Sequence, residues 1–108
     1  MNPFESYLEA IGSGNAEKVA SLFSEDGSFY DQGPVKMGMD PIHVTGRNEI
    51  KAFFQQIFSA QGPIKAFNVN INANAMRYDV KMGNLLFLAL GVMKQENNLI
   101  KEFRVTVI

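Results

Sequence analysis

Tyr7 and Asp31 are the residues of this 108-residue chain whose types and spacing could do chemistry. They stand 24 positions apart, and the segment between them reads as two short helices, an acidic turn and the start of a strand. A chain organised in that way folds back on itself and brings a phenol and a carboxylate together. The carboxylate can take a proton from carbon, and a neutral phenol can donate a hydrogen bond to an oxygen on which charge then develops. Each residue also has a plainer reading. Tyr7 lies between Phe4, Leu8 and Ile11 on the apolar face of its helix, where a core tyrosine satisfies its hydroxyl locally. Asp31 stands just ahead of Gly33-Pro34, and aspartate commonly starts turns by accepting from a backbone amide two residues on.

Two further polar residues are candidates for auxiliary roles. Asp40 precedes Pro41, a frequent turn signal. His43, the single histidine, sits between Ile42 and Val44 on a short strand, and its ordinary pKa suits acid-base work. If it faces Asp31 across paired strands, the two form a proton-transfer couple; a half-buried or surface histidine is the alternative. Met37 and Met39 flank Gly38 in a long loop, where flexible thioethers either cover an apolar ligand or simply fill the loop. With Phe23, Phe29, Phe54 and Phe58 they make up the expected ligand-binding set, although the helical phenylalanines are core residues first.

These groups need elements to hold them. Asn2, Pro3 and Glu5 occupy N-cap, N1 and N3 positions, so the first helix begins there and carries Phe4, Tyr7, Leu8 and Ile11 on one face. Gly12-Ser13-Gly14 ends it. Asn15 caps a second helix that turns Val19, Leu22 and Phe23 inward and stops at Glu25-Asp26-Gly27, with Gly27 as a left-handed cap. Ser28 to Asp31 reads as a short strand and Ile42 to Val44 as another. After Thr45-Gly46, Ile50, Phe53, Phe54, Ile57 and Phe58 define a third helix that ends before Gly62-Pro63.

From residue 64 the period becomes two. Phe67, Val69, Ile71, Ala73 and Ala75 alternate with Asn68, Asn70, Asn72 and Asn74, which predicts one strand or two short ones. The asparagines face either solvent or a partner subunit. A turn at Gly83-Asn84 leads into the run Leu85 to Met93, whose unbroken apolar character predicts burial on both faces. Asn97-Asn98 makes the last turn before a final strand from Leu99 to Ile108. Helices followed by a meandering antiparallel sheet define an α+β fold, and residues 1–108 form a single domain.

Composition excludes several classes of function. Ten Lys and Arg against eleven Asp and Glu, without a basic block, leave no footprint for nucleic acid. There is no cysteine and one histidine, so thiolate chemistry is excluded and a zinc site is not expected. No apolar run approaches the roughly 20 residues of a membrane span, and Met1 to Glu5 do not open a secretory signal, so a cytosolic protein is expected.

Tyr7-Leu8-Glu9-Ala10-Ile11, the Gly14-Asn15 break, Leu22 to Asp31, and Gly46-Arg47-Asn48-Glu49-Ile50 with Phe53-Phe54 together resemble the nuclear transport factor 2-like superfamily, and most closely its SnoaL-like and ketosteroid isomerase-like members. The resemblance implies three helices packed on a curved, mostly antiparallel sheet, a cone with an internal pocket for a small hydrophobic molecule, and a homodimer formed through the sheet. It implies Asp31 as proton shuttle and Tyr7 as oxyanion donor, with no cofactor. The family's second acid has no counterpart here: the registers that can be drawn place Leu90, Lys101 or Thr106 at its position. A non-catalytic module that dimerises and binds a ligand is the competing expectation.

Overall fold

Asn2 opens the chain's first element through a reciprocal capping box: its side chain accepts from the Glu5 amide at 2.9 Å, and the Glu5 carboxylate accepts from the Asn2 amide at 3.1 Å. The computed structural model describes residues 2–82 and 84–108. Helix α1 spans Pro3–Ser13 and ends where Gly14 takes φ 71°, a conformation that costs glycine nothing. Asn15 caps α2, Ala16–Ser21, by accepting from the Lys18 amide.

The chain then departs from the sequence expectation. The second helix does not run on to Gly27; strand β1 occupies Phe23–Asp31. Pairing with the C-terminal strand decides this, because Phe23 is matched to Ile100 and the Ile100 amide bonds to the Leu22 carbonyl at 2.8 Å. Gly27 is therefore no helix cap. Its role is close approach, since a Cβ there would lie 2.8 Å from the Ile100 carbonyl oxygen.

A 3-10 turn over Gly33–Met37 follows, then β2 (Ile42–Thr45), α3 (Arg47–Gln61), β3 (Lys65–Asn72), β4 (Ala75–Met82), β5 (Leu85–Glu96) and β6 (Leu99–Val107). The six strands form one curved, open sheet in the order β2-β1-β6-β5-β4-β3, with β1 and β6 parallel and all other neighbours antiparallel. The asparagine-rich alternation resolves into a hairpin that turns at Ala73, φ 52°. A bulge between Phe67 and Asn70 breaks the period, so Phe67 pairs with Asp79 on the outer face while Ile71 packs toward the core beside Met76. Of the Gly83-Asn84 turn, Gly83 lies outside the described residues.

Strand β5 also differs from expectation. Ala89, Gly91 and Met93 are buried, but Leu86, Leu90 and Val92 are exposed. The run is not covered on both faces, because the helices pack on one side of the sheet only. On that side Phe4, Tyr7, Phe29, Phe54 and Phe103 form the heart of the core, with Tyr7 edge-on to Phe103 at 4.7 Å and Phe29 beside Phe54 at 5.3 Å.

Candidate functional site

Between α1, α3 and the concave face of the sheet lies a cavity of about 460 Å³. Tyr7 and Asp31 both line it, as do Phe29, Phe54, Met37, Met39 and Asp40. Tyr7 reaches it from the second turn of α1, held by the Phe103 and Phe54 rings. Asp31 reaches it from the end of β1, where the strand gives way to the 3-10 turn. Met37, Met39 and Asp40 are exposed and stand at the mouth.

Asp31 starts the turn, as its position before Gly33-Pro34 allowed, and also lines the cavity. Its Oδ1 accepts from the Gly33 amide at 2.8 Å, which anchors the carboxylate to the turn. Its Oδ2 takes no hydrogen bond from any described residue. Burial pushes the Asp31 carboxyl above the ordinary aspartate range, against the opposing pull of the Gly33 amide. The anchored acid is half-buried in the cavity wall and keeps one free oxygen.

The Tyr7 hydroxyl donates to no described residue, although the side chain is only 4% exposed. It is not satisfied locally, as a purely structural core tyrosine would be. Burial first, and then the nearby Tyr78 and Asp31, push its pKa well above the usual phenol value, so it stays neutral and able to donate. No direct hydrogen bond joins Tyr7 to Asp31.

Three expected site residues lie elsewhere. His43 is paired with Tyr30, whereas Asp31 is paired with Ile42. Adjacent strand positions point to opposite faces, so Asp31 and Ile42 line the cavity while His43 stands exposed on the outer face, edge-on to Tyr30 at 5.9 Å. The proposed His43 and Asp31 couple does not exist. Phe23 is fully buried against Phe29 and does not line the cavity, because it begins β1 at the far end of the strand from Asp31. Phe58 lines a separate shallow depression beside the start of α2; on α3 the row Phe53, Ile57 and Gln61 faces the cavity instead.

The sequence reading missed Tyr78, which lines the cavity from β4. Its signal was present: Met76, Tyr78 and Val80 alternate with Arg77, Asp79 and Lys81, a strand pattern with one apolar and one charged face. Asp79, on the other face, accepts from Asn68 at 2.9 Å and is buried without reaching the cavity. The residues drawn for the missing second acid lie outside as well. Leu90 and Thr106 are exposed on the outer face, and Lys101 pairs with Asp26.

Among the described residues no three His, Cys, Asp or Glu side chains gather as a metal ion would require. The cavity is an apolar chamber whose polar side chains are Tyr7, Asp31, Gln61, Tyr78 and, at the mouth, Asp40, with no Lys, Arg or His among the described lining residues.

The profile of the SnoaL-like domain family matches residues 4–83. The chain belongs to the SnoaL-like domain family. Comparison with curated proteins finds no match. Solved structures similar to this SnoaL-like domain include a protein from Sphaerobacter thermophilus, 14% identical, with a TM-score of 0.78 over 98% of this chain and 93% of that one. A hypothetical protein with a ketosteroid isomerase-like fold from Catenulispora acidiphila, in complex with trimethylamine, is 11% identical, with a TM-score of 0.74 over 96% and 83%. A nuclear transport factor 2-like protein of unknown function from Cytophaga hutchinsonii is 15% identical, with a TM-score of 0.70 over 98% and 87%. At these identities the likeness establishes the fold that the SnoaL-like domain shares with them.

Proposed function

We propose that this SnoaL-like domain catalyses proton transfer within a small, apolar carbonyl compound, an isomerase-type reaction with Asp31 as the base. The observation that carries the reading is the placement of a half-buried carboxylate with a free oxygen and an unpartnered Tyr7 hydroxyl in the wall of one apolar cavity. Asp31 takes a proton from the carbon next to the carbonyl, and the electron pair moves onto the carbonyl oxygen. Tyr7 donates to that oxygen as charge gathers there. Asp31 then returns the proton to a second carbon and the carbonyl re-forms, so no atom or electron is gained or lost. General-base catalysis contributes about 10²–10⁴-fold, and an oxyanion donor about 10²–10³-fold. Asp40 at the mouth serves at most as an auxiliary group.

The test is conversion of small β,γ-unsaturated ketones to their conjugated isomers, followed by ultraviolet absorbance. Asp31→Asn is expected to lower turnover at least 100-fold while leaving the melting transition cooperative. Unchanged turnover in that variant would remove Asp31 from the role.

A second reading rests on the rings of Tyr7, Phe29, Phe53, Phe54, Tyr78 and Phe87 around one carboxylate. Aromatic faces with a counter-charge suit an alkylammonium ion, and the Catenulispora neighbour is in complex with trimethylamine. Tight binding of an alkylammonium series, lost in Asp31→Asn and unaccompanied by turnover of any ketone, would favour this non-catalytic role. In either case a homodimer through the outer face of the sheet is proposed, on the support of exposed Leu86, Leu90 and Val92.

A further inference from the structure

We propose that Tyr78 is a second hydrogen-bond donor to the ligand oxygen, so that a pair of phenols from α1 and β4 does the work for which the late strands supply no acid. The inference rests on the isomerase reading and deepens it. Tyr78 lines the same cavity as Tyr7 and Asp31, is 3% exposed, and its hydroxyl donates to no described residue. The ring is buried but the hydroxyl is not sealed off, so a ligand oxygen in the cavity can accept from it.

The surroundings of Tyr78 are shaped for this. Its strand partner is Ala89, a small residue that also lines the cavity. Gly91, two residues on, lets the Phe103 ring approach so closely that a Cβ would lie 2.6 Å from Cε1, and the same Cβ would lie 3.5 Å from the Tyr78 ring. Phe103 in turn supports Tyr7 at 4.7 Å. The two phenols are thus braced by one packed group of side chains. Burial, with Asp31 nearby, also pushes the Tyr78 pKa upward, which keeps it a neutral donor.

Two neutral donors beside the Asp31 carboxylate, with a second carboxylate, Asp40, at the mouth and no cation among the described lining residues, define the ligand class. It is an uncharged ketone or enone with a single carbonyl at its polar end. A carboxylate or phosphate ester would bring a second negative charge beside Asp31 without compensation.

The test uses 2-naphthol, whose oxygen mimics the developing enolate, with binding and ionisation read by fluorescence. Wild-type protein, Tyr7→Phe, Tyr78→Phe, the double variant and Asp31→Asn are compared. Phenylalanine keeps each ring, and thermal melting verifies folding. If both phenols contact one oxygen, each single variant weakens naphthol binding about tenfold or more and shifts the pKa of bound naphthol upward. The double variant then loses less than the product of the two single losses. Weakening in Tyr7→Phe with no change in either readout in Tyr78→Phe overturns the inference and leaves the isomerase reading standing. Failure of the wild-type protein to bind naphthol at millimolar concentration overturns both.

Discussion

Asp31 sets the strongest pH dependence of the site. Its folded pKa is raised above the unfolded value near 3.8, so the folded protein holds the proton more tightly than the unfolded chain does. The cost of the buried charge is therefore absent below the unfolded value, grows as pH rises, and is complete above the folded value. Asp31→Asn keeps an acceptor for the Gly33 amide and removes the charge. It is expected to stabilise the protein by about 0.5–2 kcal/mol at about pH 7 and by nothing measurable at about pH 3, as thermal melting at both pH values would determine. In the wild type, turnover should rise with pH through a midpoint above the ordinary aspartate range, because only the ionised form accepts a proton. Stability and activity would then move in opposite directions at a single residue.

At the same scale, the sequence exposed Tyr7 and Asp31 as candidates because local signals mark both, a helix face in one case and a strand end before Gly-Pro in the other. That they share a cavity required tertiary structure. Tyr78 was hidden although its strand alternates strictly, because Arg77, Asp79 and Lys81 make β4 look like a polar connection unless the two faces are read separately. His43 was misplaced by one register position, which in a strand is the difference between the cavity and the outer surface.

At the scale of elements, the helices were the most legible part of the fold. Caps and period are local, so α1 and α3 could be read directly, while the end of α2 could not. Phe23 to Gly27 has no strong preference of its own and is drawn into β1 by a strand some 75 residues later. The capping box makes a simple prediction: Asn2→Ala should lower stability by about 1 kcal/mol in urea titration and loosen the helix that carries Tyr7. Gly91 makes a stronger one. Its Cβ would strike Phe103, which is fully buried and braced by Tyr7 and Phe4, so the ring cannot move aside without disturbing α1. Gly91→Ala should cost about 1–3 kcal/mol by urea titration and also lower turnover, because Tyr7 and Tyr78 share that support.

At the scale of the whole molecule, the leucine-rich run of β5 is where an apolar pattern and a one-sided sheet come apart. Continuous hydrophobicity predicted two covered faces; the helices cover only the concave one. Leu86 at 55% exposure and Leu90 at 40% stand on the other, flanked by Arg77, Lys81 and Arg104 from neighbouring strands. A strand rises about 3.3 Å per residue and neighbours lie about 4.8 Å apart, so β3 to β6 offer a face of roughly 600 Å² in plan. Side-chain relief adds to that, and a stable interface needs about 800 Å² per partner. With that relief the face approaches the area that a second copy needs, and its apolar centre is bordered by cations and by Glu102, which pairs with Arg104. Sedimentation equilibrium should give the wild-type protein twice the chain mass, and Leu90→Arg should shift it to the monomer at micromolar concentration. Leu90 points away from the cavity, so naphthol affinity per chain should change little in that variant. A wild-type protein that sediments as a monomer would instead leave β5 with an uncovered apolar face and overturn the dimer.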